Sequence, residues 1–176
     1  MAELPNQSHF FNDSVSDKRL NPAGPDHAQV ASAGAVLDYV GALHQHHGGS
    51  RSDDLRTASA AVSSLWRGHE DTLTPALLGV LTQRDDVRLL GPATLDAVAG
   101  HRCPTIAFSP LAKDPQDVAH ELVHRGVQTS SAHNYAARVL DGLGIDPDRG
   151  VVRLSFVLYT SAADVERAVD ALTDAM

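Results

Sequence analysis

At 176 residues, with 43% hydrophobic and 20% charged residues, the chain is long enough to bury one core and has the composition of an ordinary globular protein. A formal net charge of −8 leaves no basic stripe for nucleic acid, and no run reaches the roughly 18 uninterrupted apolar residues of a membrane span. The start of the chain has no basic segment followed by an apolar one, so a soluble, cytoplasmic protein is expected, and the single cysteine, Cys103, excludes an internal disulfide and reads as a small buried hydrophobe.

The first twenty-five residues are rich in Asn, Ser, Asp, Pro and Gly without apolar periodicity and read as loop, ending in the turn-prone "NPAGPD". A helix is predicted over 27–46: Asp26 is the N-cap, Val30, Ala33, Leu37, Val40 and Leu43 recur at helical spacing, and Gly48-Gly49 stops it. A second helical tract spans about 53–83, with Leu55, Val62, Leu65, Trp66, Leu73, Leu77 and Leu81 as its stripe and Pro75 as a kink or break. "VRLLGP" (87–92) and "CPTIAFSP" (103–110) read as strands. Asp114-Pro115 then opens a short helix that Gly126 closes, and "QTSSAHNYAARVLDGLG" reads as a loop entering another short helix. The clearest strand is "VVRLSFVL" (151–158), and Ser161 with Asp164 forms a capping box for a last helix to about Ala175, carrying Val165, Ala168, Val169 and Leu172 inward. Strands alternating with helices after residue 85 describe an α/β or α+β fold, a small sheet covered by helices.

Four stretches raise chemical questions. "HELVH" (120–124) has the H-E-x-x-H spacing of a zinc hydrolase, in which two histidines share a helix face and the glutamate is the general base. At 100° per residue, however, His120 and His124 lie opposite the face of Val118, Ala119, Leu122 and Val123, Gly126 ends the helix too soon, and a third ligand is missing at the metzincin spacing. A solvated helix face is the expected reading. "HQHHGG" (44–49) places His44 and His47 one turn apart, which suits the dipole at a helix C-terminus without a metal. Arg153 interrupts an apolar strand, a costly position unless an anion meets it; its planar fork suits a carboxylate, and an internal salt bridge is the alternative. "PAGPDHAQ" leads a glycine turn into a capped helix, whose free amides favour a phosphate or other anion.

Three of these stretches, in order, resemble one family. "RLNPAGPDHAQVASAGAVLDYV" is similar to the turn and helix of class V aminotransferases and cysteine desulfurase-like proteins, "GVVRLSFVLYTSAADVERAVDAL" resembles their closing strand and helix, and "RCPTIAFSPLAKDPQDVAHELVHRGVQTSSAHNYA" resembles what lies between. The resemblance implies dimeric pyridoxal 5′-phosphate (PLP) enzymes of fold type I acting on an amino acid. On this reading residues 1–48 are the tail of the large cofactor-binding domain and 49–176 the small C-terminal domain, a small sheet covered by helices. The turn at Ala23-Gly24-Pro25, with His27 beside it, would approach the cofactor phosphate. Arg153 would hold the substrate's α-carboxylate, and His133 and Tyr135 would lie in the substrate loop where desulfurases keep their nucleophilic cysteine. The family's Schiff-base lysine matches neither Lys18 nor Lys113, so the resemblance implies a C-terminal portion, inactive by itself and completed by a missing N-terminal portion or a homodimer partner. Alternatives are a non-catalytic dimerisation or binding module and the zinc hydrolase.

Overall fold

The computed structural model describes residues 5, 7, 9–21, 24–96 and 102–176. After short 3-10 turns at Phe10–Asn12 and Ser16–Lys18 come α1 (His27–His46), α2 (Leu55–Thr82), β1 (Val87–Leu90), β2 (Thr105–Pro110), α3 (Pro115–His124), β3 (Ser130–Ala132), α4 (Ala137–Gly142), β4 (Val151–Ser155) and α5 (Ala162–Ala175). Among the described residues no helix is long and apolar enough to cross a membrane. The chain divides into two compact units, Met1–Ser63 and Ser64–Met176.

In the first unit, α1 begins where expected because the Asp26 carboxylate accepts the amides of Ala28 (2.9 Å) and Gln29 (3.2 Å). Its apolar stripe is another matter: Val40 is buried, but Val30, Val36, Leu37 and Tyr39 are exposed. His44 is buried rather than solvated, because its Nε2 meets Asp53 Oδ2 at 2.7 Å. That bond, ahead of the Ser50 amide, holds the Asp53 carboxyl below the usual range. Gly49 is needed beside this pair, since a Cβ there would fall 2.2 Å from the His44 ring.

The second unit is built on an antiparallel sheet in the order β1-β2-β4-β3. One face carries Ile106, Phe108, Val152 and Leu154 into a core closed by Leu73, Leu77, Leu78 and Leu81 of α2, Val118 and Leu122 of α3, and Val165, Ala168 and Leu172 of α5. The opposite face is covered only in part: Val151 packs with Leu140, Ile145, Leu90 and Ala107.

Several expectations need correcting. Pro75 does not break α2, which runs through it. An interior proline costs about 3 kcal/mol, whereas four leucines buried around it return roughly 1.5–3 kcal/mol each. β4 stops at Ser155 rather than 158: the Val157 amide donates to Thr160 Oγ1 (3.0 Å) and the Thr160 amide to the Val157 carbonyl (2.9 Å), drawing 157–160 into a turn. β3 lies where the sequence predicts loop; its serines have little strand preference, and it forms by pairing with β4. Cys103 is exposed, not buried.

Candidate functional site

Pairing geometry decides what surrounds Arg153. Alternation along β4 sends Val152 and Leu154 into the core and places Val151, Arg153 and Ser155 on the other face. Directly paired residues share a face, so Ala107 and Ser130 flank Arg153, and Thr105 stands opposite Ser155 with the two hydroxyls 3.3 Å apart. Only the Val151 end of this face is covered, so Arg153 is exposed, not the buried cation that the strand pattern suggested. Its guanidinium has neither an ion pair nor a hydrogen bond to another described residue; the backbone carbonyl alone is engaged, by Thr129 Oγ1 at 2.8 Å. Five N–H donors are therefore free on a sheet surface otherwise made of small and hydroxylated residues.

The loop after β3 folds back beside it. The Ser130 hydroxyl donates to Asn134 Oδ1 (3.2 Å), and Asn134 Nδ2 donates to the Ala132 carbonyl (2.9 Å). Ser130 is the residue paired with Arg153, so this bond ties the Asn134 side chain to the strand beside β4. Asn134 and Tyr135 both have left-handed backbones, φ 48° and 60°. Asparagine tolerates this region; a tyrosine there is strained by about 1–3 kcal/mol. The Tyr135 amide donates to His133 Nδ1 at 3.1 Å, the two rings meet edge to face with centroids 6.3 Å apart, and the Tyr135 side chain is fully exposed. The structure thus links Arg153 to the loop of His133 and Tyr135 through Ser130, which pairs with Arg153 and holds Asn134. Asn134, Ser130 and the Thr105–Ser155 pair went unnoticed in the sequence, where short polar residues in a loop carry no signal.

At the turn before α1, Ala23 lies outside the described residues, and Gly24, Pro25 and His27 are exposed. A Cβ at Gly24 would touch nothing within 4 Å, so the glycine forms no cradle. Because Asp26 already occupies the amides of Ala28 and Gln29, a carboxylate stands where a phosphate would seek donors. Lys113 donates to the Ala175 carbonyl at 2.8 Å. On these observations the described residues of this turn, and Lys113, do not by themselves fit PLP.

Two other features lie apart. His120 and His124 are exposed while Val118, Ala119 and Leu122 are buried, as the angular reading of α3 expected, but Val123, at the margin of that predicted apolar face, is exposed. Among the described residues no three His, Cys, Asp or Glu side chains are grouped to hold a metal. A cavity of about 420 Å³ opens at the end of β4, floored by Leu77, Leu154, Phe156, Val165 and Ala168; Arg153, His133 and Tyr135 do not line it.

Residues 25–168 match the family described as aminotransferase class-V. A probable cysteine desulfurase of Pseudomonas putida is 33% identical over 148 residues, covering 84% of this chain and 30% of that protein. A probable cysteine desulfurase of Streptomyces coelicolor is 28% identical over 148 residues, again 84% of this chain and 29% of its own. The crystal structure of the cysteine desulfurase CsdA from Escherichia coli superposes with a TM-score of 0.61 at 20% identity, over 89% of this chain and 32% of that one. The fold is therefore shared, and the chain spans about a third or less of the length of these proteins.

Proposed function

We propose a role for this chain that proceeds from one fact: it belongs to the class-V aminotransferase family, with cysteine desulfurase-like proteins among its relatives. In this reading it is the C-terminal part of a PLP-dependent enzyme acting on an amino acid, with residues 1–48 the tail of the large domain and 49–176 the small domain. The lysine that carries the cofactor belongs to a segment outside these 176 residues, and the cofactor is a property of the complete enzyme, formed with that segment or in a homodimer. Two observations support the division: the partial span of its relatives, and a helix start and a lysine already engaged within the chain.

The observation that carries the substrate reading is Arg153, a guanidinium without a partner among the described residues, on the strand that pairs with Ser130. Its role is to take the α-carboxylate by a bidentate pair, with His133 and Tyr135 shaping the pocket. Sulfur transfer through a protein persulfide is not part of the reading, because the loop offers His133, Asn134 and Tyr135 and the one thiol, Cys103, stands before β2.

Purified alone, the chain is expected to leave PLP unbound; cofactor fixed to Lys18 or Lys113 after borohydride reduction, seen as added mass, would refute the division. Mixed with a lysine-bearing N-terminal segment it should acquire the yellow absorbance of bound cofactor. In that complete enzyme Arg153→Gln should raise KM about 10- to 100-fold, matching the roughly 1.5–3 kcal/mol of a charge-assisted hydrogen bond. A second reading, a non-catalytic dimerisation module, is favoured by the exposed Val30, Val36, Leu37 and Tyr39 of α1. A colourless mixture together with a dimer by light scattering would favour it.

A further inference from the structure

Resting on the reading of Arg153 as the carboxylate anchor, we propose that His133 faces the amino-acid substrate as a neutral hydrogen-bond donor through Nε2–H, and that Asn134 is the positioning residue holding it so. A backbone amide only donates, so the 3.1 Å bond from the Tyr135 amide requires an unprotonated His133 Nδ1. In a neutral imidazole the proton then resides on Nε2. While that bond holds, the lone pair of Nδ1 is engaged and Nε2–H is the group left to point outward. What it presents outward is a donor, the same polarity as the guanidinium of Arg153.

Holding that tautomer requires the Tyr135 amide to turn back toward the imidazole two residues upstream, which the left-handed backbone at residues 134 and 135 accomplishes. The Tyr135 side chain repays little of this conformation, since its ring is solvent-exposed and meets the His133 ring only edge to face. The compensation comes from Asn134, whose side chain is tied at both ends, to the Ser130 hydroxyl and to the Ala132 carbonyl, and from the Ala136 amide donating to the His133 carbonyl at 2.8 Å. Local strain held by surrounding bonds is a recurrent mark of a binding or catalytic segment.

The test is nitrogen-15 NMR of the imidazole rings of the full chain, with the His133 signals assigned by their loss in His133→Gln. The Nε2–H pattern is expected; an Nδ1–H pattern, or an even mixture of the two, would overturn the proposal. Asn134→Ala should convert the pattern to a mixture while amide signals outside 130–136 stay in place, and an unchanged pattern would remove Asn134 from the role. Tyr135→Gly, which keeps the amide and relieves the backbone, should preserve the tautomer, and its loss there would also count against the scheme. Titration with L-alanine, run on the chain mixed with the lysine-bearing N-terminal segment, should move the Nε2 signal in the unaltered chain and not in Arg153→Gln. No movement in the unaltered chain sinks the substrate-facing role; movement that survives Arg153→Gln keeps His133 as donor and sinks the carboxylate reading instead.

Discussion

α1 and α5 start from the same local grammar and end differently. Each begins at an acceptor side chain that captures first-turn amides, Asp26 in α1 and Ser161 with Asp164 in α5. Each carries apolar residues at helical spacing. Yet Leu172 of α5 is 0% exposed, whereas Val30 of α1 is 63% exposed. The difference teaches that capping and spacing settle where a helix forms, while the presence of a sheet to pack on settles what its apolar face contributes. α5 has Phe108 and Leu154 beneath it; α1, within these 176 residues, carries a stripe that earns little.

The sharpest way to break this comparison is to truncate both stripes. Leu172→Ala should cost about 2–5 kcal/mol in urea unfolding, and Val30→Ala less than about 0.5 kcal/mol. Equal losses would mean that α1 is buried after all. Next in size is Gly150→Ala, at about 1–3 kcal/mol: Gly150 has φ 69°, and a Cβ would fall 2.7 Å from the Ala132 carbonyl carbon, so the change combines backbone strain with a clash at β3. Because it pushes the strand that positions Asn134, it should also disturb the His133 imidazole signals; a silent substitution would show that β3 yields freely.

Caps sharpen the comparison on a smaller scale. Ser161→Ala should cost about 1 kcal/mol of global stability, while Asp26→Ala, on a helix with an exposed stripe, should appear mainly as lost helicity by circular dichroism. Smallest is an effect of pH. The Ser161 hydroxyl, then the Ser161 amide and Arg167, hold the Asp164 carboxyl below the usual range. A lowered folded-state pKa contributes stability above the unfolded value of roughly 3.9, and that contribution fades as pH falls toward the folded value. The stability gap between the unaltered chain and Asp164→Asn should therefore be present at neutral pH and narrow below about pH 4. A gap that widened on acidification would contradict the capping assignment.

Much of the secondary structure was legible because it rests on short-range chemistry. Asp26, Asp114-Pro115 and the Ser161–Asp164 box each marked a helix start, and the angular positions in α3 separated His120 and His124 from Val118 and Leu122. The candidate site was legible only through Arg153 and through the family resemblance. What escaped was decided by partners distant in sequence. β3 exists because β4 offers it hydrogen bonds and the burial of His44 depends on Asp53 nine residues away, whereas the early end of β4 rests on a local turn from Val157 to Thr160.

The order of amino acids by itself determined where helices begin, which faces are apolar, and that one guanidinium would stand in the closing strand, since these depend on residues within a turn or two of one another. Only the tertiary structure decided that this guanidinium is exposed and which loop lies beside it. Strand register and the partial covering of a sheet face are set by pairings across twenty residues or more, and a one-residue change in register would have turned Arg153 toward the core.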